Sequence, residues 1–511
     1  MNTEIELKLA IDPADAVKLR RQGWLRARAG KPVRRKVTTI YLDTPDNALK
    51  DRGIALRVRR TSRGWVQTLK DAGEALAGLH ERAEWEVPIP KGEPDFGSIA
   101  ESPWASVFTR DLQDRLQKVF STDFWRTTWL IEDGDSLIEL ALDLGQIVGP
   151  QGQADIAEIE LELKRGEVRA LFDVALRLAS DIPLRLESRS KAARGYALGH
   201  SEAPQAVKAV SPTLRPEMDA NAAFRPMLEQ CLSHLQDNVQ VFLSIGDGES
   251  LHQARVAVRR LRAALSILSA VVPAGCVSGF VDELRWLMSH LGPARDWDIL
   301  RTRFMGPLEA QVPENGALDG LKVISRRAQA ESWEAARTAL ASPRFTKLAL
   351  SLGGWLAAQQ WCEELTPTVS ESLAQPIILV ARRILRKRHK RLLAQGGQGE
   401  RLTPEQTHRL RIAGKKTRYT AEFFSSLFDP TAVRRYVKAL TALQDNLGRQ
   451  HDAVVAIERL NGLTARQKDP QLAWAMGAVA GWSLSDAAWQ ADELPGLWAR
   501  FRSRRPFWNG P

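Results

Sequence analysis

What most constrains this chain is a change of hydrophobic period near residue 200. Before it, apolar and charged residues alternate one by one, as in Glu4-Ile5-Glu6-Leu7-Lys8-Leu9, Ala55-Leu56-Arg57-Val58-Arg59 and Glu158-Ile159-Glu160-Leu161-Glu162-Leu163-Lys164. A period of two belongs to strands. Helical patterns around Pro13 to Arg20 and Glu167 to Ala179 interrupt and follow them, so this half reads as α+β with mainly antiparallel strands. From about Glu217 onward apolar residues recur at three-and-four spacing, with Gly- or Pro-containing breaks, as in long amphipathic helices. Between the two regimes, residues 202–216 carry three prolines and little periodicity, which marks a linker. The expected organisation is therefore a first domain at 1–201, a linker at 202–216 and a helical domain at 217–505.

With 511 residues and 44% hydrophobic content, the chain can bury two or more cores and is not expected to be disordered. Its first eight residues place charges where a secretory signal needs an apolar run, and no later stretch approaches 18 uninterrupted apolar residues. A cytoplasmic protein without a membrane partner is the expectation. Cys231, Cys276 and Cys362 lie far apart with no CxxC spacing, which argues against a disulfide framework or a zinc site. The net charge of +11 is unevenly placed: residues 1–200 hold 31 basic and 31 acidic residues, leaving 41 and 30 for the rest. The excess of positive charge in the second half points to an anionic partner.

In the first half the charges share strand faces: Glu4, Glu6 and Lys8; Arg57 and Arg59; Glu84 and Glu86; Glu139 and Asp143; Glu160, Glu162 and Lys164. On a single strand such a face is usually just solvated. Here the opposite faces are apolar on strand after strand. If they pack under helices, the charged faces must meet inside a closed, wet barrel, because buried charges persist only when paired or ligated. Carboxylates at one side and guanidinium and ammonium groups at another suit a polyanion bridged by Mg²⁺ or Mn²⁺.

Those residues resemble a known family. Glu4-x-Glu6-x-Lys8 is similar to the ExExK signature of the CYTH domain, the triphosphate tunnel metalloenzymes that include inorganic triphosphatase, thiamine triphosphatase and class IV adenylate cyclase. Tyr41-Leu42-Asp43, Leu56-Arg57-Val58-Arg59, Thr68-Leu69-Lys70, Glu84-x-Glu86, Arg126, Glu139-x3-Asp143, Glu160-x-Glu162-x-Lys164 and Ser190-Lys191 follow in order. The resemblance implies an eight-stranded antiparallel tunnel with flanking helices. It also implies that Glu4, Glu6, Glu160 and Glu162 ligate metal, with Asp143 at a second position. Lys8, Arg57, Arg59, Lys70, Arg126 and Lys191 would then bind phosphate oxygens. Lys70 with Tyr41 resembles a pair that positions the attacking water, with Tyr41 as a packed strand aromatic the alternative. Glu84 and Glu86 read as partners for the lumen's basic groups.

The helical half repeats itself. His252-x2-Arg255-x3-Arg259-Arg260-x-Arg262 recurs 156 residues later as His408-x2-Arg411-x3-Lys415-Lys416-x-Arg418, and Leu291-Gly292-x3-Asp296 recurs at the same offset as Leu447-Gly448-x3-Asp452. An all-α, duplicated helical bundle follows from that. His252, Arg255, Arg259 and Arg262 form a stripe of roughly 15 Å on one helix face, and His408, Arg411, Lys415 and Arg418 form another. Like charges stacked with no acid between them are unfavourable unless an anion relieves them. These segments resemble the CHAD domain, a histidine-containing helical module associated with polyphosphate. Asp296 and Asp452 are expected to hold the basic side chains in register. The run Arg382 to Arg391 offers further basic surface. Nucleic acid is disfavoured as the ligand, for want of interleaved exposed aromatics or a recognised motif.

The expectation is a metal-dependent inorganic triphosphatase that cleaves tripolyphosphate to pyrophosphate and phosphate, with a basic bundle that binds long-chain polyphosphate. The alternatives are a nucleoside or thiamine triphosphatase, a class IV adenylate cyclase, or a non-catalytic polyphosphate-binding protein. Oligomeric state, metal preference and coupling between the halves carry no sequence signal.

Overall fold

The computed structural model describes residues 2–61, 64–71, 73–199, 204–312, 315–363, 365–397, 402–464 and 469–509. Residues 202 and 203 of the expected linker, with the domain bound at 201, lie outside these. Contacts divide the chain into two units, one of residues 1–204 with 341–358, the other of 205–340 with 359–511.

The first unit is built on ten strands: β1 (Asn2–Ile11), β2 (Val33–Asp43), β3 (Ile54–Thr61), β4 (Gly64–Asp71), β5 (Glu74–Leu76), β6 (Leu79–Ile89), β7 (Gln117–Asp133), β8 (Ser136–Gly149), β9 (Gly152–Arg165) and β10 (Leu184–Leu186). They run β10-β1-β9-β8-β7-β2-β3-β4-β6-β5, and β1 also pairs with β6. That extra pairing closes eight strands into an antiparallel barrel and leaves β5 and β10 outside the ring. The alternation read from the sequence then has a physical partition. Leu7, Leu9, Leu56, Val58, Leu140, Leu142, Ile159 and Leu161 point outward and are fully buried. Leu56, with Leu49, Ile54, Leu69, Ile99, Phe108 and Leu112, forms part of an outer core. The charged residues that alternate with them, among them Lys8, Arg57, Arg59, Asp143 and Glu160, face inward.

Two helices matter for the lumen. Val168–Asp181 buries Leu171, Phe172, Val174, Ala175 and Leu178. Lys191–Ala197 is capped by Ser190, whose hydroxyl accepts from the Ala193 amide at 3.0 Å. A third helix of this unit, Pro343–Ala357, is far away in sequence and packs on Val168–Asp181, with Thr346 Oγ1 donating to the Leu184 carbonyl at 2.7 Å. It falls within the stretch 217–505 that sequence periodicity assigned to the helical half.

The second unit is helical, and the repeat is visible in it. The first basic motif lies on Gly248–Leu268 and its copy on Pro404–Phe423. The two Leu-Gly-x3-Asp segments lie on Gly275–Ile299 and Pro430–Thr464. A core of Trp297, Phe304, Leu321, Ala456, Leu460 and Met476 draws on both repeats. No described helix is long and apolar enough to cross a membrane.

Candidate functional site

Strand register brings the lumen together. Lys8 faces Glu160 across β1 and β9, and Glu6 faces Glu162. Glu162 in turn faces Glu139 across β9 and β8. Arg126 faces Asp143 across β7 and β8, Arg57 faces Tyr41, and Lys70 faces Glu84. Because cross-strand neighbours share a face, these residues line one interior.

Its charges fall into three groups. The first is a neutralised set in which Asp143, Glu158 and Glu160 each bring an oxygen within 4.8 Å of the others. Lys191 Nζ reaches Asp143 at 2.7 Å and Glu160 at 2.9 Å, and also pairs with Glu158. Lys8 Nζ sits 2.5 Å from Glu160 and 3.0 Å from Glu6. Arg126 grips Asp143 through Nε at 2.8 Å and Nη2 at 2.6 Å, and also meets Glu160. Burial disfavours every one of these charges. Their mutual attraction outweighs it for Lys8, Lys191 and Arg126, held above their usual ranges, and for Asp143 and Glu160, held below theirs. Glu158 goes the other way, raised by burial against Lys191 and Lys8.

The second group is an acidic end. Glu162 is raised by burial and then by Glu4 and Glu139, against the help of Lys164 at 2.5 Å. Glu4 is held by Lys70 Nζ at 2.6 Å, which also reaches Glu84 at 3.2 Å. Carboxylates that repel one another across a small space form a hard-oxygen donor set, and a divalent cation of the Mg²⁺ or Mn²⁺ kind relieves that repulsion. Glu4, Glu139 and Glu162 fit such an ion on this ground, and Glu6, which faces Glu162 across β1 and β9, lies beside them while pairing with Lys8 at 3.0 Å.

The third group is cationic. Arg57 pairs with Glu84 at 3.3 Å, but its Nε and that of Arg59 are buried without a hydrogen-bond partner. Arg59 has no ion pair among the described residues, and burial with Arg57 and Arg126 nearby lowers it to about 10. Tyr41 closes this end, 3% exposed and stacked on Phe120 with ring centroids 4.4 Å apart. Burial would raise its phenol, but Arg57 and Arg59 outweigh that and lower it. Tyr196 donates to Asp43 at 2.8 Å in the same aromatic plug. The Lys70 and Tyr41 pair is therefore split between two settings: Lys70 sits between carboxylates, and Tyr41 sits among rings and guanidinium groups. Glu158 and Glu139 also belong to the lumen, and the sequence pattern gives neither of them a binding role. Their signal was the same alternation that marks Glu160 and Asp143.

In the helical unit both motif copies meet at one cavity of about 820 Å³. His252, Arg255 and Arg259 line it from one repeat, and Arg411, Lys415 and Arg418 from the other. Arg262 and His408 are not among the lining residues. Arg262 lies a turn further along its helix, within electrostatic reach of Arg285, and His408 packs against His451 with ring centroids 5.8 Å apart. Arg295, Arg303 and His451 join the lining. Asp296 takes Arg459 at 2.9 Å and Arg255 at 3.8 Å, and Asp452 takes Arg303 at 3.2 Å. Cations still outnumber acids: the Nε atoms of Arg255, Arg259, Arg295 and Arg411 are buried without a hydrogen-bond partner, and Arg418 Nε meets Glu422 at 3.6 Å. Burial and then Arg411 and Arg259 lower Lys415 to about 6. His252 and His451 fall to about 4, by burial first and then by Arg295 and Arg411 respectively.

Comparison with known proteins finds two domain families in the chain. Residues 2–196 match the CYTH domain and residues 226–461 the CHAD domain. An inorganic triphosphatase of Haemophilus influenzae is 36% identical over 202 residues, 40% of this chain and 56% of that protein. The chain thus spans little more than half the length of that relative. An uncharacterized protein of Mycobacterium tuberculosis is 26% identical over 446 residues, 83% of this chain and 82% of its own length. The crystal structure of the CHAD domain from the plant Ricinus communis shares 33% identity and a TM-score of 0.52 over 59% of this chain and 98% of that one.

Proposed function

Since this chain joins a CYTH domain to a CHAD domain, we propose that its tunnel hydrolyses inorganic tripolyphosphate to pyrophosphate and phosphate, and that its helical cavity binds longer polyphosphate. One observation carries the first part: a single lumen holds Arg57 and Arg59, whose Nε atoms are buried without a hydrogen-bond partner, and mutually repelling carboxylates at Glu4, Glu139 and Glu162. A triphosphate with a divalent cation supplies what each end lacks. The likeness to the Haemophilus influenzae triphosphatase supports the reaction class.

Phosphoryl transfer asks mainly for positioning and charge stabilisation. Arg57, Arg59 and Arg126 fork phosphate oxygens, and Lys8 and Lys191 add point charges, already protonated because the carboxylates around them raise their pKa. Mg²⁺ or Mn²⁺, held by Glu4, Glu6 and Glu162, would neutralise further phosphate charge and polarise the attacking water. Asp143 and Glu160 hold Arg126, Lys8 and Lys191 in place for the substrate. Lys70 has three donors and gives two to Glu4 and Glu84, which leaves one for the water or the terminal phosphate. Tyr41 fixes Arg57 and closes the lumen behind the substrate.

A substrate panel at fixed Mg²⁺ or Mn²⁺ tests this. Phosphate release from tripolyphosphate should exceed that from ATP and thiamine triphosphate, and Glu4→Ala or Glu6→Ala should abolish it. Cyclic AMP formed from ATP would identify a cyclase instead. For the cavity, replacing Arg255, Arg259, Arg411 and Lys415 by alanine should weaken polyphosphate retention and flatten its salt dependence. Retention equal to wild type would exclude the cavity as the site.

A further inference from the structure

The helix Pro404–Phe423 is basic on two faces. Arg411, Lys415 and Arg418 look into the cavity. Arg409, Ile412, Ala413 and Lys416 lie about 100° to 200° further round, at about 100° per residue. On that second face they meet Arg388 and Arg391 of the helix Ile377–Leu393 around a separate groove of about 390 Å³.

The groove differs from the cavity in chemistry. Its floor is apolar, with Ile412 39% exposed beside Ala413. Its rim is cationic: Arg388 donates to Ser266 Oγ at 2.8 Å, and Arg409 pairs with Glu405 of its own helix at 3.2 Å. Among the described residues no carboxylate pairs with Arg388, Arg391 or Lys416. Lys416 is held below the usual lysine range by burial and then by Arg388, Arg391 and Arg262.

A bare phosphate chain would satisfy that rim and leave the floor against water. A ligand with a flat apolar part and at least two negative charges satisfies both, since guanidinium groups fork phosphate oxygens and stack on aromatic faces. The volume falls within the range of about 300 to 1,000 Å³ common for small-molecule sites. We infer that this groove binds a nucleotide, with the base against Ile412 and Ala413 and the phosphates on Arg391 and Lys416, at a site separate from both cavity and tunnel. It rests on neither reading under the proposed function.

The test is calorimetric titration of the full chain with ADP in EDTA, with pyrophosphate as the baseless probe. Arg391→Glu combined with Lys416→Glu should weaken ADP binding about tenfold or more, as lost charge-assisted contacts do. Ile412→Asp, at an exposed position, should do the same through the floor, and an unchanged melting temperature certifies its fold. Arg259→Ala with Arg411→Ala, in the cavity, should leave ADP affinity intact. ADP binding that persists unchanged in both groove variants overturns the inference. So does pyrophosphate binding there as tightly as ADP, or an acidic aromatic peptide that binds in place of ADP.

Discussion

Arg59 shows what a binding residue costs its own fold. It is the lumen guanidinium with no ion pair among the described residues, and burial, Arg57 and Arg126 all oppose its charge. A buried cation without a partner destabilises, and an apolar side chain of similar length removes that penalty. Arg59→Met should therefore raise the melting temperature of the tunnel by roughly 2–4 °C, about 1 kcal/mol at this size. The same change should lower kcat/KM for tripolyphosphate about a hundredfold, as the loss of one donor at a developing charge does. Calorimetry and steady-state kinetics on one preparation check both signs. Lys415 makes the matching case in the cavity. Its folded pKa of about 6 lies below its ordinary 10.5, so between those values the unfolded chain holds a proton that the empty fold does not. Stability from this group is full above the unfolded value and is lost as pH falls toward 6. A bound polyanion reverses the preference and draws the proton in, so retention of polyphosphate should strengthen as pH falls from 9 to 6. Titrations in two buffers of different protonation enthalpy should show net proton uptake in wild type. Lys415→Met should lose most of it.

At the level of elements, the strands were the most legible part, because period-two alternation names both the element and the faces that meet. Lys8 against Glu160 and Arg126 against Asp143 are direct consequences of register. Glu158 was harder to place, because an acid at the end of an alternating run reads equally as lumen or rim until the helix carrying Lys191 is docked. That helix settles against Phe120 because residue 195 is glycine: a Cβ there would stand 2.1 Å from the ring. Gly195→Ala should push the helix outward, cost about 1–3 kcal/mol by overpacking and draw Lys191 away from Asp143 and Glu160. The expected readout is a lower melting temperature with a rise in KM larger than any fall in kcat. An Ala substitution at exposed Gly30, where nothing lies within 4 Å of a Cβ, is the control that should change neither.

For the molecule as a whole, sequence order and contact order disagree at one place. The helix Pro343–Ala357 completes the tunnel unit although long helices of the other unit, from Ala220 to Leu340, precede it in the chain. An amphipathic helix advertises that it has an apolar face but not which partner covers it, so periodicity could not assign this one. The contact itself is specific. Gly353 and Gly354 lie so close to Phe172 that a Cβ on Gly353 would stand 2.8 Å from its ring and one on Gly354 2.9 Å from its Cβ. Phe172 is 1% exposed, and uncovering a side chain of that kind costs about 1.5–3 kcal/mol. The tunnel therefore cannot reach its full stability from residues 1–204 alone, even though every lumen residue lies within them. A fragment of 1–204 should melt at a lower temperature than the tunnel transition of the full chain and bind a dye that reports exposed apolar surface. Supplying 341–358 through a flexible linker should reverse both effects. In the full chain, Gly353→Leu should lower the tunnel transition and spare that of the helical unit. Equal stability of the bare fragment and the intact tunnel would show that the barrel needs nothing from beyond residue 204.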